Sequence, residues 1–205
     1  MLNLQNKGTG MKNKNMAAVL IILLGLRLTA CTSGEKEGRA REENPTAPQN
    51  KENRVSPSLT ATSDVDGNVV TIQYGSPKVK GREIWGGLVP YGEVWRTGAN
   101  EATTISFTED VLIDGQLLKK DTYSFFTIPE AQQWTAIFNL EEKQWGAFKY
   151  DSNEDALKIT VQPYATDSAF ENMYFGIEKS GKGGIIHFAW DSLGWDIPFE
   201  NAPKE

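Results

Sequence analysis

From Val69 to Phe199 the chain is built of short runs rich in β-branched and aromatic residues, and no segment carries three turns of an amphipathic helix. That pattern confines the fold to a few all-β architectures. The runs are Val69–Tyr74, Thr103–Phe107, Thr122–Ile128, Trp134–Phe138, Leu157–Val161, Met173–Ile177, Ile185–Trp190 and Gly194–Phe199. Asp66-Gly67-Asn68, Asp114-Gly115 and the glycine-rich Ser180–Gly184 supply turns between them. Pro198 marks the last run as an edge or terminal strand. The spacing predicts an all-β, antiparallel β-sandwich in preference to a barrel. Residues 57–200 are enough for one core and too few for two. All six Trp and all fifteen Phe and Tyr lie in this part of the chain.

The strand pattern breaks once at length, over Ser76–Thr104, SPKVKGREIWGGLVPYGEVWRTGANEATT. A non-periodic stretch of that length inside a compact domain is either functional or disordered. Ile84, Trp85, Leu88, Val89, Tyr91, Val94 and Trp95 carry too much apolar surface to leave in water. The stretch is therefore expected to be one long ordered aromatic-rich loop, over about residues 76–102, pinned to the sandwich by its rings.

SPKVKGR, IWGGLVPYGEVWRTGANEATTI, DTYSFFTIP, WTAIFN and WGAFKY together resemble the signature blocks of DUF2911, a bacterial family of secreted and lipid-anchored domains of unknown function. The resemblance runs from about Leu59 to about Phe199. It implies a stand-alone extracytoplasmic domain and supplies no activity.

Residues 1–30 read as an export signal and not as part of the fold. Lys7, Lys12 and Lys14 precede an eleven-residue apolar run, Met16 to Leu26. A bilayer-spanning helix needs roughly 20 such residues, so the run is too short to cross. Leu28-Thr29-Ala30-Cys31 then resembles the lipidation site of bacterial lipoproteins, with Arg27 an irregular neighbour and Met11 an alternative start. Cys31 is the only cysteine, which excludes an intramolecular disulfide, and lipid attachment is its expected role. A lipid on Cys31 makes the membrane the first expected partner and places the protein in the cell envelope. Residues 31–56 lack aromatics and balance their charges, as a flexible tether would. Residues 201–205 are a short tail.

From residue 57 onward, twelve Lys and Arg face twenty-two Asp and Glu, a net charge of −10. So acidic a surface argues against nucleic acid as a partner. His187 is the only histidine, expected on one strand face with Ile185 and Ala189. Without a second histidine or cysteine, zinc and Cys–His chemistry are excluded, and no metal or other cofactor is expected. The carboxylates Glu93 and Glu101, or Asp191 and Asp196, offer a hydrolase pair, but twenty-two acidic residues produce such pairs by accident.

Arg96 is the sharper residue. Lys78, Lys80, Arg82 and Arg96 are four of the twelve basic residues, and all fall in the one loop. Arg96 either pairs internally with Glu101 and locks the loop, the favoured role, or faces a ligand as a planar donor fork. The candidate ligand-binding set is Lys78, Lys80, Trp85, Tyr91, Trp95, Arg96, Asn100 and Glu101. The expected function is a non-catalytic binding module for a small molecule, glycan or envelope partner. The alternatives are a carboxylate-based glycan hydrolase and a purely structural envelope lipoprotein.

Overall fold

The computed structural model describes residues 54–204; the expected signal, Cys31 and most of the expected tether lie outside them. Ten strands run in order: β1 (Ser58–Val65), β2 (Asn68–Gly75), β3 (Thr103–Phe107), β4 (Val111–Ile113), β5 (Gln116–Leu118), β6 (Thr122–Ile128), β7 (Trp134–Asn139), β8 (Asp155–Val161), β9 (Tyr164–Ser180) and β10 (Gly183–Asn201). They form a six-stranded sheet, β1-β2-β3-β6-β7-β8, and a four-stranded sheet, β5-β4-β10-β9, with antiparallel pairing throughout. The fold is the all-β antiparallel sandwich that the strand spacing predicts. Among the described residues the one helical turn is a 3-10 turn, Ser152–Glu154.

Local chemistry fixes the register. Asp66-Gly67 and Asp114-Gly115 each close a two-residue hairpin, with both residues of each pair at positive φ (56° and 86°; 50° and 71°). Only such turns match the twist of the flanking strands. Alternation then sends Ile72, Ile105, Phe125 and Phe138 inward from one sheet, and Phe175, Phe188, Trp195 and Ile197 inward from the other. The rings meet across the gap, Tyr74 on Phe175 at 5.0 Å and Phe125 on Trp195 at 5.7 Å. β10 bends at Asp191 (φ 53°), and its second half returns beside its first. His187 Nδ1 thus lies 2.7 Å from Asp196 Oδ1, and Asn201 N donates to Lys182 O at 3.2 Å.

The segment from Ser76 to Ala102 forms no strand, yet it is ordered against the sandwich as expected. Ile84 and Val89 are buried, and the Trp85 ring touches Trp95, Trp134, Phe188 and Trp190 at centroid distances of 4.8 to 6.5 Å. The aromatics of the loop thereby extend the core beyond the sheets. A smaller apolar cluster, Ala102, Phe126 and Ile137 with Tyr150, covers the outer side of β6 and β7.

Candidate functional site

The loop leaves β2 through Gly75. A Cβ there would stand 2.0 Å from Ala99 O, so no other residue lets the outgoing and returning arms of the loop approach this closely. Ala99 N donates back to Gly75 O at 3.1 Å. The outgoing arm then runs along the edge of β9: Met173 N donates to Pro77 O, and Val79 N to Glu171 O. Arg82 closes the next turn, donating from Nε to Val79 O at 3.0 Å and from Nη2 to Lys78 O. The returning arm pairs with the end of β6, where Trp95 and Thr127 exchange two backbone hydrogen bonds of 2.8 Å.

Arg96 follows, and the residue after it is strained. Thr97 is a fully buried, β-branched residue at φ 49°. That region is a genuine outlier for such a side chain and persists only where surrounding contacts impose it. Here Thr97 Oγ1 shares a 3.0 Å hydrogen bond with Thr127 Oγ1, and Thr103 Oγ1 donates to Thr97 O at 2.7 Å. Asn100, at φ 68°, turns the chain again and donates from Nδ2 to Ser56 O at 3.2 Å.

These two left-handed residues send Arg96 and Glu101 to different places. Glu101 is ion-paired with Arg54, whose guanidinium lies over the Trp145 ring at 5.7 Å. Arg96 has no ion-pair partner among the described residues, and the expected Arg96–Glu101 lock is absent. The Arg96 guanidinium makes no hydrogen bond among them either, and its Nε is buried without an acceptor. Burial pushes the Arg96 pKa down from its ordinary value, because the cation has given up water.

Arg96 lines a cavity of about 430 Å³ between the loop and the N-terminal segment. Lys78, Lys80, Arg82 and Asn100 line it as well, with Trp95 and Trp190 as aromatic wall. The two indoles stack at 5.8 Å and 19°, and Trp190, 1% exposed, has its Nε1–H buried without an acceptor. Val55 and Ser56 close one side. Of the eight residues singled out from sequence, Lys78, Lys80, Trp95, Arg96 and Asn100 thus meet in one cavity. Trp85 packs into the core cluster, Tyr91 is exposed against Gly86, and Glu101 faces another cleft. Trp190 and Ser56 escape a sequence reading: one alternates inward like any core residue, the other ends a polar stretch. The signal that could have flagged Trp190 is its position just before the bend of β10 at Asp191, beside the loop.

That other cleft is a trough of about 630 Å³ on the outer face of the six-stranded sheet. Outward positions Thr71, Gln73, Thr104 and Ser106 floor it, and Glu101, Glu142 and Trp145 form its side. Its charged groups are matched locally, Glu142 by Lys143 at 2.9 Å and Glu101 by Arg54. Glu93, Asp191 and Asp196 lie outside both clefts. His187 occupies the expected face; its Nδ1 is hydrogen-bonded to Asp196 at 2.7 Å, its Nε2 lies 3.4 Å from Glu178 without a hydrogen bond, and Tyr164 O–H donates to Asp196 at 3.1 Å. Among the described residues no group of three or more His, Cys, Asp or Glu side chains is placed to hold a metal ion.

Fold and site together define an all-β sandwich that carries a cation-lined cavity under one long loop. The chain belongs to DUF2911, a family of proteins of unknown function, whose model matches residues 56–199. No curated protein and no solved structure matches it.

Proposed function

We propose that this protein is a non-catalytic binding module of the bacterial cell envelope, lipid-anchored through Cys31, that takes a small molecule in the cavity lined by Arg96. Fold alone carries no function, so the reading rests on the site. The observation that carries it is a partly buried guanidinium with no carboxylate partner and no hydrogen bond among the described residues. Buried polar groups are almost always satisfied within the protein, and an exception calls for an explanation such as a ligand. A cavity of this size sits at the small end of those that enclose metabolite-sized ligands. The hydrolase alternative needs two carboxylates in one cleft; neither of its candidate pairs shares either cleft, and the two that do share the trough, Glu101 and Glu142, are each paired with a cation.

The test is a thermal-shift panel of neutral, anionic and cationic metabolites on the full chain in detergent. Ala99→Leu narrows the cavity, and Leu88→Trp obstructs its mouth. Members of the panel should raise the melting temperature of wild type and not of either variant. If no member shifts wild type, or the shifts survive both variants, the cavity is not a binding site. For the anchor, Cys31→Ser should release the protein from membranes; wild type that is soluble and unlipidated in its host would overturn that part.

A further inference from the structure

We infer that the ligand of this cavity is a small organic anion, a carboxylate or phosphate ester on an apolar body, gripped by Arg96 within a ring formed by Lys78, Lys80 and Arg82. The inference rests on the cavity being the binding site and adds the chemistry of what enters it.

Three observations converge. First, the cavity wall carries four cationic side chains and no Asp or Glu. On a domain of net charge −10 that is a strong local reversal of sign, and such a reversal concentrates anions. Second, six of the nine other basic side chains described are ion-paired. Among the described residues Lys119, Lys143, Lys158, Lys179 and Lys204 are each in an ion pair, and Arg54 pairs with Glu101. None of the four in the cavity is. Glu171 comes close, accepting from Lys80 N at 3.1 Å, but no carboxylate forms an ion pair with a cation of this wall among the described residues.

Third, the donors that lack acceptors here are of one kind. Arg96 Nε–H and Trp190 Nε1–H are both buried with no acceptor, and both residues line the cavity. Neither proton is itself open to the cavity, so a ligand meets the outer N–H groups of the Arg96 guanidinium, which donate and cannot accept and therefore call for acceptor lone pairs on the ligand. A planar guanidinium fork matches the two oxygens of a carboxylate or phosphate. The remaining wall, with Trp95, Val89, Leu88 and Pro77, is apolar and suits a hydrocarbon or ring body. A neutral sugar brings no negative charge and would leave the cationic ring unmatched.

Titration calorimetry with three probes of similar size tests this: phenyl phosphate, benzoate and the neutral phenyl glucoside. The full chain in detergent should bind at least one of the two anions, and bind it at least about tenfold more tightly than the glucoside, a difference of about 1.4 kcal/mol. Arg96→Gln should weaken that anion by about 10- to 100-fold, the loss of a charge-assisted hydrogen bond. Added salt should weaken the anion and leave the glucoside unchanged. A glucoside that binds as well as the anions and is blocked by Ala99→Leu would overturn the anion while keeping the site. Probes that bind equally well to Ala99→Leu and Leu88→Trp would overturn the site itself. No binding of either anion at millimolar concentration, or anion binding within about twofold of wild type in Arg96→Gln, would overturn the inference.

Discussion

Replacing Arg96 with Met should make the protein more stable, not less. In wild type the guanidinium makes no hydrogen bond and no ion pair among the described residues, and its Nε is buried without an acceptor. Leaving such a group unsatisfied costs about 1 to 3 kcal/mol, more for a charged one. Met keeps most of the length of the aliphatic stem and removes the charge. Part of the cost is recovered through water in the open cavity, so a net gain of about 1 to 2 kcal/mol is expected. At about 2 to 4 °C per kcal/mol for a domain of this size, the melting temperature should rise by about 2 to 8 °C. Thermal melts followed by circular dichroism, in buffer without phosphate or organic acids, read the change directly. The same variant should lose the anion response described above, a trade of binding for stability that is common at functional sites. A fall of more than about 2 kcal/mol would refute the reasoning, because losses of that size follow from breaking a buried ionic network. Arg96 would then be a structural lock and its cavity incidental.

Three further outcomes follow from the geometry. Gly75→Ala places a methyl group 2.0 Å from Ala99 O, a backbone atom that cannot swing aside, so it should cost about 3 kcal/mol or more and abolish ligand binding together; a melt within about 1 kcal/mol of wild type would show that the two loop arms are not packed as described. A chain that begins at Pro57 loses the Arg54–Glu101 ion pair and the Asn100–Ser56 hydrogen bond, and with them one wall of the cavity. It should melt lower by about 1 to 2 kcal/mol and bind more weakly, and an unchanged melt and affinity would show that the N-terminal segment is only a leash. Burial, helped by Asp121 and Asp110, pushes the Tyr123 phenol up to about 12 from 10.0. An acid whose folded pKa is raised contributes its full stability below the unfolded value and loses it as pH rises through the folded one. Stability should therefore fall between pH 10 and about 12, and Tyr123→Phe should flatten part of that fall; an identical alkaline profile in the variant would count against the buried phenol.

The sheets were legible where alternation and turn chemistry agreed. The Asp-Gly hairpins and the inward-facing rows of β2, β3, β6, β7 and β10 follow directly from residue type. β1 was not visible, because SLTATSDV exposes most of both faces at the sheet edge and carries little hydrophobic signal. β4 and β5 are three residues each, too short for any period to register. β9 begins nine residues before Met173, in an exposed polar stretch whose extension is set by the partner strand and not by its own composition. At the site, the clustering of Lys78, Lys80 and Arg96 in one loop was readable as charge. Which carboxylate Arg96 would meet was not. That depends on Thr97 and Asn100 adopting left-handed conformations, and Thr97 does so against its own preference under hydrogen bonds from β6 and β3. Glu101 consequently meets Arg54, from a segment that composition alone assigns to the tether.

The most direct measurement is nuclear magnetic resonance of two protons, Arg96 Nε–H and Trp190 Nε1–H, during a titration with phenyl phosphate and, separately, benzoate. Both donors are buried, neither has an acceptor, and both belong to residues that line the cavity. With at least one of the two anions, both signals should shift together and saturate at one dissociation constant, while the buried Trp134 and Trp195 indoles, which are not part of the cavity wall, stay fixed. Signals from Arg96 and Trp190 that do not move with either anion, or that move without saturating, would contradict the claim that this cavity is the site where the protein binds its ligand.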